Sequence, residues 1–271
     1  MSAKVDLYNT AYSNYELDVY RRVRIETYGE DLGQTSWVTA EESSRIPELL
    51  ELTPDSFVLE IGTGSGRYAL RIAERIGCRI LGFDINPHGV RNANQLAQSN
   101  NLGSLARFDE CDVSKGLGFP DNTFDAAFSN DVMTHIPGRP AVLRELFRVL
   151  KPGGRLLFSD GLVIGGILSH EEIAARSSIG YYAFSPPGEN ERLLQAAGFQ
   201  LISATDTTKA AAEIARRWRE ARNRSKNKEE LIAAEGQDNF DGLQRFLACA
   251  YQLTSEKRLL RVVYLARKQA H

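Results

Sequence analysis

The strongest chemical signal in the chain is Glu60-Ile61-Gly62-Thr63-Gly64-Ser65-Gly66, an apolar run that enters a glycine-rich turn and then a helical pattern. Missing side chains let a ligand lie against the backbone there. A dinucleotide fingerprint would place its third glycine one position later, where this chain has Arg67, and Glu60 before the turn would repel a pyrophosphate. The same carboxylate suits a cationic amine. Asp84, at the end of the next apolar run and followed by Ile85, is placed to accept hydrogen bonds from two ribose hydroxyls, which requires an ionised carboxylate. Asp112 is expected to end the strand after that, within reach of an adenine amino group.

Further along, His135 follows the fourth apolar run, where a second substrate would meet the first. It is a candidate general base, although a histidine in such a loop also serves as a cap or a surface residue. Met133 beside it reads as packing, and Asp131 and Asp160 read as loop caps. Tyr8, Tyr12, Tyr15, Val19 and Val23 recur at helical intervals and predict one N-terminal helix with a mostly aromatic stripe. That stripe reads first as a docking face, with Tyr12 and Tyr15, like Tyr181 and Tyr182, kept as candidate substrate contacts. Eight basic residues between Lys209 and Lys228 form a solvated helix face with Trp218 turned inward, rather than an anion-binding helix. His88, His170 and His271 have no metal-ligand spacing, so no metal is expected, and Ser169-His170-Glu171-Glu172 is a helix-start signature.

The elements that must position these residues alternate. Residues 57 to 61, 79 to 84, 124 to 129 and 155 to 160 are short apolar runs of the kind that form buried parallel strands. Between them lie Leu70, Ile72, Ala73 and Ile76; Val90, Ala93 and Ala97; and Leu143, Leu146, Phe147 and Leu150, all at helical spacing. The pattern predicts a doubly wound α/β sheet, mostly parallel. Asn86 before Pro87 makes a cap and first-turn pair, and Gly77 and Pro152-Gly153-Gly154 end helices. Residues 193 to 198 then close a helix, and 199 to 204 and 259 to 266 are the last two strands. Residues 206 to 256 between them are too many for a simple connection and should form helices of their own.

With 271 residues, 42% of them hydrophobic, the chain can bury a substantial core. Thirty-three basic residues against 35 acidic ones leave a formal charge of -2, so no overall field draws the chain to nucleic acid or anionic lipid. Cys78, Cys111 and Cys249 lie far apart and read as free thiols. The stretch MSAKVDLYNT lacks the layout of a signal peptide and no segment approaches a membrane span in length, so a cytoplasmic protein is expected.

EIGTGSG, Asp84, CDV at 111 to 113, FPDNTFDAAFSNDVMTHI and LFRVLKPGGRLLFSD resemble, in order, the successive motifs of class I S-adenosylmethionine-dependent methyltransferases. The resemblance implies a seven-stranded Rossmann-like sheet and S-adenosyl-L-methionine as cofactor. Gly62, Gly64 and Gly66 would line the methionine and ribose, and Glu60 would face the amino end through Thr63 or water. Asp84 would hold the ribose, Asp112 and Val113 would frame the adenine, and Asn130 would close the pocket through its backbone. In layout the chain resembles the sarcosine/dimethylglycine, phosphoethanolamine and sugar O-methyltransferases, which implies a small-molecule acceptor. The expected organisation is an N-terminal helical cap over residues 1–54, a core of 55–205 and 257–271, and a helical insertion over 206–256. The insertion would form part of a lid, with 161–192 a further candidate for it. Two rivals stand beside this reading. One is an NAD-dependent oxidoreductase on the same sheet, which Arg67 and Glu60 oppose; the other is a silent or repurposed methyltransferase-like binding module.

Overall fold

The computed structural model describes residues 5–33 and 35–269; Met1 to Lys4, Gln34, Ala270 and His271 lie outside the described residues. Seven strands form one sheet: β1 (Phe57–Ile61), β2 (Arg79–Asp84), β3 (Ala106–Glu110), β4 (Phe124–Ser129), β5 (Leu150–Ile164), β6 (Phe199–Asp206) and β7 (Leu259–Lys268). Their order is β3-β2-β1-β4-β5-β7-β6. The first five run parallel, while β7 inserts antiparallel between β5 and β6. β1 and β4, at the reversal of strand order, are buried almost throughout and are apolar in both side-chain directions, as a sheet covered on two faces demands.

Helices cover both faces. On one, α4 (Arg67–Ile76) and α5 (Pro87–Ser99) bury Leu70, Ile72, Ala93 and Ala97 with Ile46 of α3 (Ala40–Leu49). On the other, α6 (Arg139–Val149) and α8 (Glu189–Ala196) bury Leu143, Leu146, Leu193 and Leu194 against Phe124 and Phe158. The cap signals act as read. The Asn86 side chain accepts from the His88 and Gly89 N–H groups, and Gly77 ends α4 in the left-handed conformation. Ser169 and Glu172 form a reciprocal capping box on α7 (His170–Arg176).

A third apolar cluster lies outside the sheet. α1 (Tyr8–Ser13) and α2 (Asp18–Tyr28) pack with α9 (Thr208–Asn223), α10 (Ser225–Glu235) and α11 (Gln237–Ser255) around Tyr20, Trp37, Trp218, Phe240 and Phe246. Burying each such side chain contributes about 1.5–3 kcal/mol, so these helices hold the N-terminal segment firmly. Trp218 does turn inward, and Arg216 and Arg217 on the solvent face of α9 pair with Glu213 and Glu220.

Three expectations need correction. The N-terminal stripe is two helices, because Ser13 and Asn14 favour a turn and Leu17 is extended ahead of Asp18. β3 ends at Glu110, two residues early, and Asp112 instead caps a single 3-10 turn with its side chain. β5 starts immediately after α6 at Leu150, so Pro152-Gly153-Gly154 forms an irregularity in the strand rather than the helix terminator.

Candidate functional site

A cavity of about 810 Å³ opens at the carboxyl ends of β1, β2 and β4, at the point where strand order reverses. Its floor is the glycine turn, Asp84 to Pro87, Cys111 to Ser114, Asn130 to Val132 and Thr134 to Pro137. Residues 5 to 9, Tyr12, Leu32, Gly33, 35 to 37, Arg176, Ile179, Tyr182 and Phe246 form the opposite wall. The cavity therefore runs continuously from an acid-lined end to an aromatic one.

The glycine turn is shaped by close approach. Gly62 and Gly64 hold φ of 73° and 54°, and a Cβ would lie 2.2 Å from a Val132 methyl and 2.4 Å from the Tyr12 hydroxyl, respectively. Only glycine fits. Gly66 is different: its missing Cβ would meet Ala93 and Phe108, so its purpose is packing of α5, and it does not line the cavity. Asp84 accepts from the Gly64 N–H through one carboxylate oxygen and from the Asn86 N–H through the other, both at 2.8 Å. That pins the carboxylate beside the turn.

Glu60 does not line the cavity. It is 1% exposed and accepts from the Thr63 hydroxyl at 2.5 Å, and Thr63 is the residue at the wall. Burial, with a smaller contribution from Asp84, pushes its pKa up to about 8. A carboxylate whose folded pKa lies above its unfolded value stabilises the fold at low pH and loses that contribution as pH rises toward the folded pKa. His135 acts oppositely, because its lowered pKa makes stability rise between about pH 4 and 6.5. Between pH 6.5 and 8 the Glu60 contribution is therefore unopposed by His135. Stability should fall there by up to about 1 kcal/mol per pH unit, and Glu60→Gln should flatten the slope in denaturant titrations.

Ile85 is exposed at the cavity mouth and Val113 is buried in its wall. Asp112 lies between Cys111 and Val113 and is half-exposed; its carboxylate accepts from the Ser114 N–H and hydroxyl and pairs with Lys115, contacts that lower its pKa. Asn130 is buried in the wall, and its Nδ2 has no hydrogen-bond partner among the described residues. An unpaired buried amide is costly unless something completes it.

At the aromatic end, the Nδ1 of His135 lies 3.1 Å from the Tyr181 carbonyl and its Nε2 lies 2.8 Å from the Tyr8 hydroxyl. A carbonyl only accepts, so Nδ1 carries the proton and Tyr8 O–H donates to Nε2. Burial, reinforced by Arg176, lowers the His135 pKa to about 4, and burial raises that of Tyr8 well above its usual value. The pair is a neutral imidazole and a neutral phenol. Tyr182 packs against His135 with ring centroids 4.3 Å apart and planes tilted by 34°. Arg176 is 2% exposed, donates to the Tyr182 hydroxyl at 2.9 Å, and lies over the Trp37, Tyr182 and Phe246 rings. No carboxylate of the described residues forms an ion pair with it, and its Nε has no hydrogen-bond partner there.

Of the four candidate tyrosines, Tyr12 and Tyr182 line the cavity. Tyr15 turns away, with its ring under Arg24 and its hydroxyl accepting from Arg67, because the break after α1 rotates it out of the stripe. The Tyr181 side chain is exposed, and only its carbonyl serves the site. Asp131 and Asp160 do more than cap loops: each is buried and ion-paired, with Arg261 and Arg139, respectively. Tyr8 was legible as part of the stripe but not as a partner of His135. Arg176 gave no sequence signal at all.

Residues 59–158 match the family described as methyltransferase domain. A phosphoethanolamine N-methyltransferase of Triticum aestivum is 30% identical over 235 residues, covering 87% of this chain and 44% of that protein. The chain thus spans under half the length of this plant relative. The 27-O-demethylrifamycin SV methyltransferase of Amycolatopsis mediterranei is 29% identical over 203 residues, 70% of this chain and 74% of that one. In structure, a Haemonchus contortus phosphoethanolamine N-methyltransferase 2 in complex with phosphomonomethylethanolamine and S-adenosylhomocysteine superposes with a TM-score of 0.79 at 21% identity, covering 98% of this chain and 61% of that one. Residues 59–158 thus resemble a methyltransferase domain, and the seven-stranded sheet is the Rossmann-like fold shared with these methyltransferase structures.

Proposed function

We propose that this chain is an S-adenosyl-L-methionine-dependent methyltransferase that acts on an N or O atom of a small acceptor bearing an anionic group. The observation that carries the reading is the single cavity joining the glycine turn and Asp84 to the chamber of Tyr8, His135 and Arg176. The residues suit the cofactor: Gly62, Thr63, Gly64 and Asp84 would hold its methionine and ribose, with Glu60 behind Thr63. Ile85, Asp112 and Val113 would frame the base, and the unpaired Asn130 amide is a donor in want of an acceptor. When bound, the cofactor supplies an activated methyl group for in-line displacement. The protein's part is to align the acceptor, exclude water and handle one proton.

Tyr8 is the group that would touch the acceptor, passing a proton to His135 Nε2 along their 2.8 Å hydrogen bond. Arg176 restrains that relay while it stands unpaired, since its charge lowers the His135 pKa. An anionic acceptor would neutralise Arg176 and raise the proton affinity of His135, so the base would strengthen as the substrate arrives. Phosphoethanolamine, named for several relatives, carries such an anion.

The cap (1–54) and the insertion (206–256) would together form the lid, with the insertion reaching the cavity through Phe246. A roofed chamber favours a small molecule over nucleic acid. Among the described residues no helix is long and apolar enough to cross a membrane, and a cytoplasmic location is the reading that accompanies free thiols. Asp84→Ala should weaken S-adenosylmethionine and S-adenosylhomocysteine alike by on the order of 1.5–3 kcal/mol in calorimetry. Labelled cofactor and a panel of small phosphates and carboxylates test transfer itself. Cofactor binding with no transfer to any acceptor would favour the repurposed module, and a rise in Tm with a nicotinamide cofactor would favour the oxidoreductase.

A further inference from the structure

Asp131, next to Asn130 on the loop leaving β4, has a left-handed backbone with φ of 60°. A residue with a side chain holds that conformation only where its surroundings over-determine it. Its N–H donates to the Ser159 hydroxyl at 2.9 Å, and its carboxylate accepts from that hydroxyl at 2.7 Å, from the Trp37 N–H at 2.8 Å and from Arg261 Nε at 2.8 Å. Arg261, on β7 and 1% exposed, also donates to Glu42 at 2.6 Å and to the Thr207 hydroxyl at 2.7 Å. Glu42 closes the capping box with Thr39, two residues beyond Trp37. One guanidinium therefore ties together the β4 loop, the cap segment that carries Trp37, and the entry to α9.

We infer that Arg261 is a positioning residue for methyl transfer: acting through Asp131, it fixes the Asn130–Val132 loop at the donor end relative to the Trp37 wall of the acceptor chamber. The inference rests on the methyltransferase reading of the cavity. Arg261 itself does not line that cavity, whereas Trp37, Asn130, Asp131 and Val132 do. Val132 transmits the setting directly, because its methyl groups occupy the space that a Cβ on Gly62 would need. A slack loop would shift both the glycine turn and the wall that faces it.

The control is Arg222, whose ion pair with Glu235 is equally buried but joins α9 to α10 and does not line the cavity. Arg261→Lys and Arg222→Lys each keep the charge, yet one ammonium cannot span Asp131, Glu42 and Thr207 together. The full chain labelled with 5-fluorotryptophan gives resonances for Trp37 and Trp218, assigned with Trp37→Phe. Arg261→Lys should shift or broaden the Trp37 resonance and weaken S-adenosylhomocysteine binding by roughly tenfold, while Arg222→Lys leaves both near wild type at a similar loss of Tm. Equal effects of the two variants on ligand affinity and on Trp37 would overturn the inference. If Arg261→Lys does not fold, Glu42→Gln, which removes the negative charge at the more exposed end while leaving an amide oxygen that can accept, takes its place with a smaller expected shift in the same two readouts. A wild-type chain that does not bind S-adenosylhomocysteine would defeat the cofactor reading, and the Trp37 resonance would still decide the clamp.

Discussion

Replacement of His135 by alanine will lower turnover by roughly 100-fold or more and leave S-adenosylmethionine affinity within about twofold, because the imidazole serves the acceptor end of the cavity. The proposed role rests on the hydrogen bonds: Nδ1 is spent on the Tyr181 carbonyl, and Nε2 faces Tyr8. Tyr8→Phe should reproduce most of the loss, since it removes the hydroxyl through which the acceptor would reach the imidazole. An acceptor hydroxyl must shed its proton during transfer, whereas an amine can arrive neutral. Full activity in both variants would therefore assign the pair to packing and point to an amine that loses its proton to water. The pH profile adds a second check. With His135 held near a pKa of about 4 in the free protein, the acid limb of kcat/KM should be set near that value, below the usual imidazole range.

The cofactor half of the cavity was legible because it depends on consecutive residues. A glycine turn between a strand and a helix, with Asp84 at the end of the next strand and Asp112 just past the one after, describes its own geometry, and all of it except Glu60 and Gly66 lies at the cavity wall. Those two stand back from the wall, Glu60 behind Thr63 as its expected role through that residue requires. A pattern of residue types does not state which way a backbone position faces, and Gly66, expected to line the methionine and ribose, faces α5 instead. The acceptor half was far less legible because it is assembled from five distant segments: α1, the segment carrying Trp37, the β4 loop, α7 with the residues after it, and α11. Tyr15 shows the limit of periodicity, since its helical spacing from Tyr12 spans a break at Asn14 that the stripe alone does not reveal. Arg139 and Arg261 were invisible for the same reason as Arg176. Each owes its role to a partner or a gap supplied by chain more than twenty residues away.

Arg176→Met will produce the other large effect, a loss in kcat/KM on the order of 30-fold or more for an anionic acceptor, expressed mainly in KM. The substitution keeps length and apolar contact with Trp37, Tyr182 and Phe246 but removes the charge. A buried guanidinium with no anionic partner carries a desolvation penalty, so in the free protein its removal should be neutral or even stabilising by up to a few kcal/mol. That combination separates a binding role from a structural one: Tm unchanged or raised, acceptor affinity collapsed, cofactor affinity retained. Arg176→Lys should rescue little, because an ammonium cannot keep the stacked fork against three rings while donating to the Tyr182 hydroxyl. The charge change should also move His135. Without the neighbouring cation its pKa should rise from about 4, shifting the acid limb of the profile upward even as KM worsens. If Arg176→Met instead unfolds the chain or leaves KM untouched for phosphates and carboxylates, the guanidinium is a structural bridge between α7 and α11, and the acceptor is a neutral molecule read by the aromatic rings.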